Sequence, residues 1–170
     1  MSNIDFSFLI LGAGKPHKGD VPAAMGELRI GKSVLSWMIE AAGCDLSKIT
    51  FIAGYQSELI KKNFPDLQVV KNNQWSNTSS GYSLSLPKLN PEEPLLIGYS
   101  DVLFRNELVE RLSNVNADVV VAFDSKWRSR FSGSNARELD NREKVIVQGS
   151  KIERAGRSIP TKWADGEFIG

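Results

Sequence analysis

The segment Gly12-Ala13-Gly14-Lys15-Pro16-His17-Lys18-Gly19-Asp20 joins glycines, which let backbone amides come close to a ligand, to three side chains that can carry positive charge. A phosphate group needs both features, although a polar surface turn could use the glycines for geometry alone. Further along, Ser100-Asp101 ends an apolar run. A carboxylate in that place can meet a hard cation that bridges phosphate oxygens, or it can cap a helix that starts near Leu103. Between the two lies Thr78-Ser79-Ser80, ahead of a helical stretch with Tyr82, Leu84 and Leu86. These hydroxyls suit a helix cap, and they also suit a base edge or a phosphate at a helix start.

Other chemistry can be set aside by residue type. The dinucleotide pattern G-x-G-x-x-G opens at Gly12 and Gly14 but meets His17 where a third glycine should pack helix on strand. The second strand ends in Gly54-Tyr55, with no carboxylate for a ribose hydroxyl. His17 is the only histidine, which excludes cages of several imidazoles and a Ser-His-Asp triad built on another one. Cys44 is the only cysteine, which excludes an internal disulfide and fits a reducing compartment such as the cytoplasm. Gly26-Glu27-Leu28-Arg29-Ile30-Gly31-Lys32-Ser33 does satisfy the phosphate-loop pattern and precedes a helix. It follows a short, proline-bearing stretch, Val21 to Met25, rather than a strong strand, and stays open as an alternative reading.

These residues need a scaffold, and the apolar pattern supplies one. Phe6 to Leu11 predicts a strand covered on both faces. Val34, Trp37, Met38 and Ala41 fall at helical spacing between a Ser33 cap and Gly43. Ile49 to Ala53 predicts a strand, Ser57 to Phe64 a helix, Leu67 to Val70 a short strand, and Pro94 to Tyr99 another buried strand. Leu108, Val109 and Leu112 predict a further helix, and Asp118 to Phe123 a further strand. Glu143 to Val147 and Lys151 to Arg154 predict a hairpin, with a last strand from Trp163 to Ile169. The arginines Arg128, Arg130, Arg137 and Arg142 fall in a polar stretch that reads as a solvated loop, or as one that closes over phosphate. Trp75, Trp127 and Trp163 follow polar or charged positions and could line an acceptor pocket or simply pack. Lys144 and Arg157 are weaker candidates for contact with an acceptor.

The expected architecture is an α/β fold, three layers deep, with a mostly parallel mixed sheet and a small β accessory region near the C-terminus. One domain over 1–170 is expected, incomplete at its C-terminal end, because Phe168-Ile169-Gly170 falls inside an apparent strand. With 41% hydrophobic and 24% charged residues the chain is an ordinary folded protein, not a disordered one. A net charge of +1 gives no overall field toward nucleic acid, so none is expected as a partner. No run reaches the ~18 apolar residues of a membrane helix, and no signal peptide is evident.

Taken together, these segments resemble the nucleotidyltransferases that activate sugars, phosphocholine or related phospho-compounds, including the MobA-like and sugar-phosphate types, a family with a GT-A-like sheet. The resemblance rests on Phe8-Leu9-Ile10-Leu11-Gly12-Ala13-Gly14, Gly31 to Leu35, Asn72 to Leu84, Ser100-Asp101 and Asp165 to Gly170. Asn73 to Leu84, Asp124 to Trp127 and Glu143 to Val145 look most like the phosphocholine cytidylyltransferase branch. The resemblance implies transfer of a nucleotidyl group from CTP or another nucleoside triphosphate to a phosphorylated small molecule, with release of pyrophosphate. It implies that Leu11, Gly12, Ala13, Gly14 and Lys15 cradle base and phosphates, that Thr78, Ser79, Ser80 and Ser83 help read the base, and that Asp101 binds Mg2+. The family's first loop normally carries an arginine and a Pro-Lys pair. Here Pro22 is followed by Ala23 and the loop is shorter, which leaves Lys15 and Lys18 to supply charge, with Lys18 and Asp101 as the expected catalytic pair. The family's second acidic metal ligand comes after the last strand, so a fused or continuing C-terminal part is expected. A non-catalytic nucleotide-binding module is the other reading that Ala23 leaves open.

Overall fold

A computed structural model describes residues 6–29, 31–133 and 135–169. The chain divides into two compact units, Met1–Asn114 and Val115–Gly170, within the span read above as one domain.

The first unit begins with β1 (Ser7–Gly12) and a 3-10 turn at Ala23–Met25. A hairpin of β2 (Glu27–Arg29) and β3 (Lys32–Ser33) leads into α1 (Val34–Ala42). Then come β4 (Ile49–Ala53), α2 (Ser57–Asn63), β5 (Gln68–Lys71), α3 (Ser80–Leu84), β6 (Leu95–Tyr99) and α4 (Asn106–Ser113). The caps of α1 are those expected: Ser33 Oγ accepts from the Ser36 amide at 3.2 Å, and Gly43 closes the helix with φ 66°.

Four strands form a parallel sheet in the order β5-β4-β1-β6. Because side chains alternate across a strand, β1 serves two layers at once. Phe8 and Ile10 join Leu35 and Met38 of α1, Ile60 of α2 and Val109 of α4 on one face. Leu9 and Leu11 join Ile52, Val70, Trp75, Leu84, Leu86 and Tyr99 on the other. Phe8, Leu9 and Ile10 are no more than 1% exposed, and full burial of such a side chain contributes about 1.5–3 kcal/mol. The three-layer α/β/α expectation therefore holds, with the parallel strands in one sheet and the antiparallel ones in another.

The second unit contains β7 (Phe123–Asp124), α5 (Trp127–Arg130), α6 (Ala136–Asp140), β8 (Lys144–Gln148), β9 (Lys151–Gly156) and β10 (Gly166–Phe168). Its antiparallel sheet runs β7-β10-β8-β9. Two sequence expectations are corrected here. Asp118 to Phe123 does not form a strand: only Phe123–Asp124 pairs, with β10, and Val119 is 80% exposed. An apolar run needs a ladder partner before it can hold strand geometry. The arginine-rich stretch is not a plain loop either. Arg128 and Arg130 lie on α5 and Arg137 on α6, where Asn135 and Glu138 form a reciprocal capping box.

Candidate functional site

Strand order locates the site before any side chain does. From β1 the chain moves out to β4 and then β5 through helices on one face; it then crosses the other face through α3 to place β6 on the opposite side of β1. Winding direction reverses between β1 and β6. In open parallel sheets, ligands bind in the crevice outside the carboxyl ends of the strands at such a reversal.

Gly12 ends β1 and Ser100 follows β6, so both stand at that crevice. The Ser100 amide donates to the Leu11 carbonyl at 3.0 Å. A Cβ on Gly12 would lie 2.9 Å from Ser100 Cβ and would collide with the Phe51 ring, so the close approach requires glycine. Ala13 is buried, and its carbonyl accepts from the Tyr55 amide at 2.8 Å. Leu11, expected to cradle the nucleotide, is buried among apolar neighbours and its carbonyl is taken by the Ser100 amide, so its part is to hold the turn in place. Gly14 is exposed and has open space where a Cβ would stand. The turn is thus fixed at Gly12 and Ala13 and accessible from Gly14 onward.

The rest of the loop is tied back to the turn after β4. Lys15 Nζ pairs with Asp20 at 3.3 Å and lies 5.4 Å from the Tyr55 ring centroid. The Asp20 carbonyl accepts from the Tyr55 hydroxyl at 3.2 Å and from Gln56 Nε2 at 2.8 Å. Gln56 sits in the left-handed region at φ 48°, unusual for a residue with a Cβ. Lys18 is exposed and, among the described residues, forms no ion pair. Of the two cations available to a phosphate, Lys15 is already matched by Asp20 and Lys18 is not.

Asn72, just past β5, is 1% exposed. Its backbone amide donates to the Ala53 carbonyl at 2.7 Å, and its Nδ2 donates to Thr78 Oγ1 at 3.0 Å and Ser83 Oγ at 3.1 Å. Its Oδ1 accepts from the Gln74 amide at 2.8 Å. Thr78 and Ser83 are therefore engaged inside the fold, and Ser83 is buried. Ser79 and Ser80 remain exposed, and Ser79 caps α3 without a side-chain hydrogen bond. Trp75 stands edge-on to Tyr55, with ring centroids 5.5 Å apart, and its Cβ abuts Gly54.

Asp101 is exposed and, among the described residues, forms no ion pair. It caps no helix, because α4 begins at Asn106 with Arg105 in the capping position. The helix-cap reading of Asp101 is thereby removed. Among the described residues no three His, Cys, Asp or Glu cluster into a metal cage. A lone exposed carboxylate here can contribute at most one protein ligand to a hard cation.

The phosphate-loop alternative does not survive. Glu27 pairs with Ser33 and Arg29 with Lys32 in an antiparallel hairpin, and what precedes it is a 3-10 turn, not a buried strand. Lys32 is paired with Glu40 and lies 3.7 Å from the Trp37 ring centroid. Ile30 of that motif, and Gly170 of the last resemblance segment, lie outside the described residues. Trp127, which could line a pocket or pack, is fully buried in the second unit and packs. Lys144 is buried too, donating to the carbonyls of Leu139, Asp140 and Arg142 at 3.4, 2.6 and 2.9 Å. Burial pulls its pKa below the ordinary lysine value, against the pull of Asp140 and Glu167. Arg157 pairs with Glu143 at 3.2 Å, while Trp163 is 60% exposed.

A cleft of about 160 Å³ lies at the other rim of the parallel sheet, lined in part by Ser7, Thr50, Gln68 and Leu95 at or near the amino ends of its four strands. It is remote from the turn by the whole length of those strands. Residues that the sequence did not single out for this site are Tyr55, Gln56 and Asn72; each lies within three residues of a strand's carboxyl end, and that position was the available signal.

No family model matches the chain. Curated relatives do. The CTP:phosphoglutamine cytidylyltransferase of Campylobacter jejuni is 21% identical over 95% of this chain and 70% of that protein. The bifunctional protein GlmU of Thermosipho melanesiensis is 29% identical over 66% of this chain, which corresponds to 26% of that protein. Among solved structures, the inositol-1-phosphate CTP transferase from T. maritima superimposes with a TM-score of 0.71 at 17% identity, covering all of this chain and 70% of that one. Two of these three are named as a cytidylyltransferase and a CTP transferase, and the GT-A-like fold expected from the sequence is the fold observed. Among the described residues no helix is long and apolar enough to cross a membrane.

Proposed function

We propose that this chain, as a relative of the nucleotidyltransferases, forms the part of such an enzyme that holds the nucleotide. It transfers a nucleotidyl group from CTP, or another nucleoside triphosphate, to a phosphorylated small molecule. The observation that carries the reading is the junction of Gly12 with Ser100, which sets a ligand-accessible turn beside the exposed Asp101 at the point where the sheet reverses its winding.

In the proposed reaction an oxygen of the acceptor phosphate bonds to the α-phosphorus, the bond from that phosphorus to the α,β-bridging oxygen breaks, and pyrophosphate departs with the electron pair. Such transfers depend on positioning and charge neutralisation. Amides from Gly14 onward face the phosphates, and Lys18 supplies positive charge, joined by Lys15 when the triphosphate displaces Asp20. Asp101 would hold Mg2+, which when bound neutralises phosphate charge. The proposed setting is the cytoplasm, which a free Cys44 suits.

A second reading, nucleotide binding without turnover, draws on Ala23, which brings no charge to the 3-10 turn after the loop, and on the pairing of Lys15 with Asp20. Pyrophosphate release separates the two. The chain is incubated with Mg2+, each of the common triphosphates and a panel of phosphorylated alcohols, sugars and phosphocholine. Release with at least one pair is expected. Tight triphosphate binding with no release from any pair would leave the binding module standing instead.

A further inference from the structure

The geometry points to Tyr55 and Gln56 as positioning residues that clamp both ends of the first loop and so set the affinity for a polyphosphate chain, whichever base it carries; the assignment rests on the function proposed above. Tyr55 spans the loop by itself. Its backbone amide donates to the Ala13 carbonyl at 2.8 Å, and its hydroxyl donates to the Asp20 carbonyl at 3.2 Å. Gln56 Nε2 donates to the same Asp20 carbonyl at 2.8 Å and to the Tyr55 hydroxyl at 3.2 Å. Residues 14–19 therefore form a short arch whose two feet stand on neighbouring residues of the turn after β4.

That turn is firmly seated. A Cβ on Gly54 would lie 2.5 Å from both the Ala13 carbonyl oxygen and Trp75 Cβ, and the Trp75 ring meets Tyr55 edge-on. Among the described residues Gln56 is the only non-glycine residue at positive φ. Left-handed backbone is unfavourable for a residue with a Cβ and persists where surrounding contacts over-determine it. Here those contacts are the ones to Asp20 and Tyr55. What the arch carries is cationic: Lys15 lies 5.4 Å from the Tyr55 ring centroid, and Lys18 is exposed. The clamp grips the backbone of Asp20 and not its carboxylate, so it stays in place when a phosphate takes over Lys15. A loop held at both ends before the ligand arrives loses less conformational freedom on binding, and the difference appears in affinity, not in the chemical step.

The test uses the intact chain and three variants: Tyr55→Phe, Gln56→Gly and the double variant. Phenylalanine keeps the ring near Lys15 and deletes only the hydroxyl, while glycine deletes the side-chain amide and relieves the left-handed backbone. Calorimetry gives Kd for inorganic tripolyphosphate and for CTP, UTP, ATP and GTP, each with Mg2+. Each single change should weaken binding about threefold and the double change about tenfold, the worth of one and of two hydrogen bonds. Tripolyphosphate and every triphosphate that binds the parent should lose the same factor, because the clamp acts on the phosphates alone. kcat for pyrophosphate release should stay within about threefold. Tryptic cleavage after Lys18 in the ligand-free chain should quicken by the factor lost in affinity, since it follows the opened population of the loop. The urea midpoint of Gln56→Gly should stay within about 0.3 M of the parent's, which sets the loss of affinity apart from a loss of stability. If Gln56→Gly does not fold, Tyr55→Phe decides. Folded variants that bind tripolyphosphate as the parent does, that lose kcat in place of affinity, or that trypsin cuts no faster overturn the assignment alone. A parent chain that binds neither tripolyphosphate nor any triphosphate overturns the proposed function and this assignment with it.

Discussion

Gly12 and Ser100 touch so closely that no side chain fits between them: a Cβ on the glycine would stand 2.9 Å from that of the serine, with the buried Phe51 ring closing the other side. The two ends of the proposed site are therefore one packed unit. Gly12→Ala should cost about 1–3 kcal/mol through overpacking, because Phe51 is fully buried and cannot yield. Urea denaturation reads the loss; a change below about 0.5 kcal/mol would show that Phe51 and Ser100 yield to the added methyl.

Asp101→Asn separates chemistry from stability. The side chain is exposed and caps no helix, so unfolding free energy should move by no more than about 0.5 kcal/mol. Turnover with Mg2+ should fall by a factor on the order of 100. Activity retained at the parent level would remove Asp101 from the site.

The cations of the first loop make unequal contributions. Lys18→Ala should weaken triphosphate binding about tenfold, the worth of one charge-assisted contact. Lys32→Ala should leave binding unchanged, since that amine is engaged with Glu40 and Trp37. Asp20→Asn frees Lys15 from an exposed pair and should tighten binding by no more than about fivefold. Calorimetric titration of each variant at one salt concentration checks the order; loss of binding in Lys32→Ala would return the discarded hairpin to consideration.

Lys144 governs a pH dependence in the second unit. Burial lowers its folded pKa below the 10.5 of a free lysine, so between those two values the unfolded state binds more protons than the folded one. Stability then rises with pH across that window, and the penalty of charging the buried amine is present in full below the folded pKa. Lys144→Met should lose this rise and should cost about 1–3 kcal/mol by leaving three carbonyls without their donor. Urea curves from pH 8 to about 10.5 on both proteins give the difference directly; parallel pH profiles would contradict it.

Much of the scaffold can be read from residue order because its signals are local. The run Phe6 to Leu11 announces a strand buried on both faces, and Ser33 and Gly43 mark the limits of α1 within a residue. What could not be read depends on partners distant in the chain. Val119-Val120-Val121 has the apolarity of a strand, but apolarity does not say whether a neighbouring strand is there to receive its hydrogen bonds. The Gly26–Ser33 motif fits a phosphate loop letter for letter, yet the same glycines and polar residues build a hairpin when Glu27 faces Ser33. For the site, Gly12 and Asp101 follow from their places after strands. Asn72 has the same kind of place, after β5, but its engagement with Thr78 and Ser83 becomes visible only in the fold.

The cleft among the strand amino ends has a practical meaning. Because all four strands point the same way, the sheet has two unlike rims, and only the one carrying Gly12, Tyr55, Asn72 and Asp101 is engaged by the proposed ligand. The opposite rim, with Gln68 and Lys88, offers attachment points for a dye or a surface tether. A label placed there would report on the molecule while leaving the reacting rim free.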